Sequence, residues 1–230
     1  MPTISSEQAL ADVLYAHPEL LPICNRFEIK TGLGNATIAE ICSHKNIDTE
    51  FFTAIINIYL NPDIINHQAL SNVPVSELVA YLKKTHQYYL TYALPLIDDK
   101  LTRLTTSCKT VCIGIKAIKT FYDKYKNELL THINYEEEVV FPYIDQLLKK
   151  SETEKHYSIG IFEKEHTNIE QKINDLKTLI IKHLDPTFDA NACNEFLFEL
   201  TRFENDITDH ARIEDILLIP EVEKLEKTHR

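Results

Sequence analysis

The sequence predicts an all-α protein, an antiparallel four-helix bundle preceded by a small helical domain. Three observations carry this. From residue 75 onward, apolar residues recur at alternating steps of three and four, the spacing of a bundle helix's buried stripe. Short polar breaks separate four such patterns, as antiparallel neighbours require. Four glycines and nine prolines in 230 residues leave little loop signal anywhere.

The N-terminal domain is expected over residues 1–62 as short helices. Patterns run over Ala9 to Pro18, Leu20 to Phe27, Ile38 to about Lys45, and Thr49 to Leu60. Gly32-Leu-Gly34-Asn-Ala-Thr37 reads as a helix stop and restart. It is not a dinucleotide fingerprint, because the third glycine is missing. Residues 63–74, without clear period and ending at Pro74, read as a linker, with Pro74 suited to the first turn of the next helix.

The bundle is expected over residues 75–230. Its first seam holds Val75, Val79, Leu82, His86, Tyr89, Ala93 and Leu96; its second Phe121, Tyr125, Glu128, His132, Glu136, Val139 and Tyr143. The third holds Ile159, Phe162, His166, Ile169, Ile173, Leu176 and Ile180; the fourth Phe196, Leu200, Phe203, Ile207, His210, Glu214 and Leu217. Breaks fall around Ser151 and at Asp185-Pro186.

The polar members of these seams carry the chemistry. His132-x3-Glu136-x5-Pro142 has a near copy in His210-x3-Glu214-x5-Pro220. Residues four apart on a helix are neighbours, roughly 5–6 Å between Cβ atoms. Each copy therefore offers one imidazole and one carboxylate to one point, a pair that suits iron, zinc or manganese. His86 and His166 add an imidazole from each remaining helix. Buried charge is costly unless paired or bound to metal. If both carboxylates bridge two metals, each metal takes two nitrogens and two oxygens from protein. An oxo or hydroxo bridge adds a fifth ligand and leaves one octahedral position open. Zinc prefers a four-coordinate tetrahedron, so iron fits this count better. A ferritin-like site would need Glu-x-x-His twice and two further Glu, whereas this chain has one, Glu163 to His166.

Composition narrows the partners. A net charge of −11 argues against nucleic acid. No apolar run approaches the ~18 residues of a membrane span. The stretch Met1-Pro-Thr-Ile-Ser-Ser-Glu7 lacks the basic and apolar regions of a secretory signal. Five cysteines, an odd number lying mostly in helical patterns, suggest reduced thiols and a cytoplasmic location.

At these residues the chain resembles hemerythrin-like proteins, and more specifically the repair-of-iron-centres (RIC) di-iron family implicated in nitrosative and oxidative stress. The matching stretches are His86 with Leu94-Pro-Leu-Ile97, His132-x3-Glu136-Glu-x-Val-Val-Phe-Pro142, Glu163-Lys-Glu-His166, Ala192-Cys-Asn194, and His210-x3-Glu214 with Leu217-Leu-Ile-Pro220. The resemblance implies a hemerythrin-like bundle holding two non-haem iron ions. It implies the ligands His86 and His210 on one iron, His132 and His166 on the other, with Glu136 and Glu214 bridging. Glu128 and Glu165 match family carboxylates beside the site. The resemblance implies that they line a polar path for protons or small molecules; an ordinary solvated carboxylate is the competing reading. Glu170 stands where oxygen carriers have a fifth histidine, which disfavours reversible oxygen storage. The adjacent Cys-Cys pair of the family's N-terminal domain is absent. Lys30-Thr-Gly-Leu-Gly-Asn35 occupies that run, and Cys24, Cys42, Cys108 and Cys112 are no matching substitute.

Two functions follow from the resemblance. One is nitric oxide reduction, iron donation for repair of iron–sulfur clusters, or both, with nitric oxide, oxygen and iron–sulfur proteins as partners. The other is a sensor or binding module responding to oxygen, nitric oxide or redox state.

Overall fold

A computed structural model of the chain describes residues 3–61, 73–107, 114–150, 157–162, 169–184 and 188–228. The linker expected at 63–74, apart from 73 and 74, lies outside the described residues, as do the breaks at Ser151 and Asp185-Pro186 and the thiols Cys108 and Cys112. The α-helices are α1 Leu10–Ala16, α2 Leu21–Arg26, α3 Ile38–Lys45, α4 Thr49–Leu60, α5 Val75–Tyr88, α6 Leu94–Ser107, α7 Ile115–Tyr135, α8 Phe141–Leu148, α9 Ile159–Phe162, α10 Ile169–His183, α11 Ala190–Ile213 and α12 Ile219–Thr228. Among the described residues no strand forms, and the one β-type contact is an isolated bridge between Ala9 and Thr37. The protein is all-α, as the sequence predicts.

The chain divides into two compact units, Met1–Thr85 with Arg212–Arg230, and His86–Ala211. In the first, helix starts follow from capping chemistry. Thr37 and Glu40 form a reciprocal capping box at α3, and Asp48 accepts from the Phe51 amide at α4. α2 stops earlier than the glycines expected to stop it: Glu28 takes φ of +58° and the Ile29 amide donates back to the Cys24 carbonyl, while Gly32 and Gly34, with φ of +93° and +58°, turn the chain ahead of α3. Phe27 packs edge-on to Phe52 and stacks on Tyr81, with ring centroids 4.9 and 5.1 Å away. Arg26 is buried and donates to the Tyr59 and Tyr81 hydroxyls. Arg212 donates through Nη2 to the Ile58 carbonyl at 2.9 Å.

In the second unit one apolar core draws on α6, α7, α10 and α11. Ile97 joins Leu101, Tyr122, Leu129, Ile173, Leu176, Phe196 and Phe203 in it. The sequence pattern puts Leu96 in this seam, but Leu96 is only partly buried and Ile97 takes the core position. Polar pairs set the directions of the helices. Tyr89 meets Asp206, Lys100 and Arg103 meet Glu195, and Ser107 accepts from the Asp189 amide, so α6 and α11 run antiparallel. His86 meets Glu137 and Asp98 meets Lys126, so the first and second helical limbs also run antiparallel.

Among the described residues three π-helical turns interrupt the limbs, at Tyr89–Ala93, Glu136–Val140 and Glu214–Leu218. Each begins six residues before a proline, Pro95, Pro142 or Pro220. The residue ahead of each proline donates its amide to the residue five back: Leu94 to Tyr89, Phe141 to Glu136 and Ile219 to Glu214. Proline has no amide hydrogen, and its ring collides with the carbonyl four back. A widened turn accommodates it. The extra residue shifts the seam in two limbs: Val140, not the expected Val139, is buried, and Ile97 replaces Leu96, whereas Leu217 keeps its expected buried place. Phe121 and Glu128, also expected in the second seam, are only partly buried, and Tyr122 and Leu129 take the core places ahead of the turn.

Candidate metal centre

The second and fourth limbs deliver the repeated motif, and the first delivers His86. α5 and α11 with its π turn run unbroken through Thr85–His86 and Ala211–Arg212, so each donor's place on its helix is fixed locally. His86, Glu136, His210 and Glu214 are 1, 0, 4 and 0 % exposed. Each offers one ligating atom to a group in which these atoms lie within 4.8 Å of one another.

The distances have a definite pattern. His86 Nε2 lies 3.3 Å from His210 Nε2 and 2.9 Å from Glu136 Oε2. The other oxygen of the same carboxylate, Oε1, lies 3.0 Å from His132 Nε2. Glu136 thus faces two imidazoles from different limbs, one with each oxygen. Aromatic rings fix the imidazoles in place: Phe141 stacks on His86 at 5.6 Å, Tyr89 stands edge-on to His210 at 5.7 Å, and Phe162 lies parallel to His132 at 6.2 Å.

This donor set fits a metal ion. Two carboxylates withdrawn from water need a positive partner, and buried imidazole nitrogens facing them supply nitrogen ligands to the same point. Mixed imidazole and carboxylate is the chemistry of iron, manganese or zinc.

Of the remaining sequence-derived residues, Glu128 sits one turn before His132, pairs with Lys172, and lines an open surface depression with Lys124, Asn127 and Thr131. His166, Glu163 and Glu165 lie outside the described residues, as does the side chain of Glu170. Sequence reasoning missed Glu137, whose carboxylate Oε1 is 2.8 Å from His86 Nδ1. Nothing in the run Glu136-Glu-Glu138 marks which of its members turns toward a histidine fifty-one positions away. It also missed Phe141 as a packing partner of that ring. In the first unit, Cys24 and Cys42 are free and buried. Burial pushes their thiols up to about 12 and about 11, so neither is a nucleophile near neutral pH.

An all-α chain with buried histidines and carboxylates converging from antiparallel helices is a metal-binding helical bundle. Residues 77–222 match the hemerythrin HHE cation binding domain, and the chain belongs to that family. It is also similar to the iron-sulfur cluster repair protein YtfE of Edwardsiella ictaluri (strain 93-146), with 21 % identity over 219 residues that span 93 % of this chain and 96 % of that one. Both findings agree with the resemblance seen in the motifs.

Proposed function

We propose that this is a di-iron protein of the nitrosative and oxidative stress response, which reduces nitric oxide, donates iron for the repair of iron–sulfur clusters, or does both. The observation that carries the reading is Glu136, a fully buried carboxylate with one oxygen toward His86 and the other toward His132. That is the disposition a bridging ligand needs. In this reading His86 and His210 hold one iron, His132 and His166 hold the other, and Glu136 and Glu214 join them. A pair of ferrous ions supplies two electrons and exchangeable positions for small diatomic molecules. The protein's own part is to hold the pair with nitrogen and oxygen donors that release iron more readily than thiolates. Glu128 and Glu165 sit along the chain from His132 and His166, where they serve as proton carriers between the site and solvent. The similarity to an iron–sulfur cluster repair protein supports the repair role. Among the described residues no helix is long and apolar enough to cross a membrane, and the proposed compartment is the cytoplasm.

A second reading, a sensor, is favoured by Arg212. It follows His210 by two residues and donates to the Ile58 carbonyl near the end of α4, which offers a mechanical link from the motif to the N-terminal helices. The full-length chain, expressed anaerobically with ample iron, should hold about two irons. Its reduced form should convert nitric oxide to nitrous oxide. A protein without transition metal overturns the reading; iron with nitric oxide binding but no nitrous oxide favours the sensor.

A further inference from the structure

We propose that Glu137 is a positioning residue for the metal centre: its carboxylate holds the Nδ1–H of His86 and so commits Nε2 to the metal. The inference rests on His86 serving as a ligand, as proposed above.

An ionised carboxylate only accepts hydrogen bonds. The 2.8 Å contact between Glu137 Oε1 and His86 Nδ1 therefore places a proton on Nδ1. In a neutral imidazole the lone pair then resides on Nε2, the atom 2.9 Å from Glu136 Oε2 and 3.3 Å from His210 Nε2. Without Glu137 the proton is no longer held on Nδ1, and a proton on Nε2 would block that nitrogen as a ligand. Glu137 thus selects the tautomer that metal binding needs.

The backbone explains how neighbours in sequence reach the two ends of one ring. Glu136 and Glu137 open the π turn that precedes Phe141-Pro142. A π turn rotates less per residue than an α turn, so consecutive side chains keep closer directions. Phe141, one turn on, stacks on the His86 ring with planes 22° apart. Glu136 is fully buried, whereas the Glu137 side chain is 34 % exposed. The first is placed to be a ligand and the second to be a support at the edge of the site. Outer carboxylates that hold a ligating histidine in this way typically change metal affinity by roughly 10- to 100-fold.

The test compares full-length wild type, Glu137→Ala and Glu137→Gln. Because Glu137 is partly exposed, all three should fold, which circular dichroism checks. Ferrous iron affinity should fall roughly 10- to 100-fold in Glu137→Ala. It should largely recover in Glu137→Gln, whose amide oxygen still accepts from Nδ1–H. In zinc-loaded protein, used as a diamagnetic probe, nitrogen–proton correlation spectra should show a slowly exchanging His86 Nδ1–H in wild type and Glu137→Gln. That signal should be lost in Glu137→Ala. Wild-type affinity together with an unchanged Nδ1–H signal in Glu137→Ala overturns the inference. If wild type binds neither iron nor zinc, the proposed function falls instead. The same Nδ1–H signal in the metal-free protein then decides whether Glu137 orients His86.

Discussion

The two copies of His-x3-Glu-x5-Pro share a backbone and differ in surroundings. Each places a fully buried glutamate at the start of a π turn ahead of a proline. In the first copy the histidine is at the margin: the His132 side chain is 14 % exposed and meets Glu136 of its own motif. In the second, His210 is 4 % exposed and meets His86 from another limb. The position two after the histidine also differs. Asn134 is exposed, whereas Arg212 ties its helix to Ile58. A motif therefore fixes the local presentation of its ligands, and the neighbours decide what each ligand meets.

The largest expected effect falls on the glutamate that the two copies share. Glu136→Ala and Glu214→Ala should each lose metal more completely than His86→Ala, because a bridging carboxylate serves both irons and His86 serves one. Elemental analysis and metal release rates measure this. Unequal losses in the two glutamate variants would show that the copies contribute differently, and unchanged iron in Glu136→Ala would remove the bridging assignment.

The prolines come next. Pro142→Ala and Pro220→Ala restore a backbone donor and relieve the ring's clash, so each π turn should relax toward α geometry. Metal affinity should fall on the order of 10-fold while the metal-free protein stays as stable or gains about 1 kcal/mol. Opposite movements of affinity and melting temperature are the signature. Parallel losses in both would mean that the π turns serve packing rather than ligand placement.

The smallest effect separates Arg212 from Asn134. Removing a charged donor from a backbone carbonyl should cost about 1.5–3 kcal/mol in Arg212→Ala, whereas exposed Asn134→Ala should stay within about 0.5 kcal/mol. Urea denaturation of the full chain reads both. If the two substitutions cost the same, the tie to Ile58 does not distinguish the copies.

Much of the fold is legible in the sequence because helix geometry is local. The short N-terminal helices lie close to their expected bounds, since caps such as Thr37 and Asp48 act within three residues. The pairing of His132 with Glu136 within one turn follows from the four-residue spacing alone. A constant period, by contrast, misplaces parts of the seams. Val139 is exposed and Val140 buried because the π turn adds a residue. The prolines that accompany these turns are visible in the sequence, but proline also marks a helix start, and the pattern does not say which role applies.

The sequence by itself determined the helical class, the acidic charge and the set of imidazoles and carboxylates that share helix faces, because each depends on composition or on contacts within a turn. Only the tertiary structure decided that the two oxygens of Glu136 face different histidines, that His86 and His210 meet, and that Glu137 reaches His86 across fifty-one positions. Those contacts join helices far apart in the chain, and no local spacing specifies their geometry.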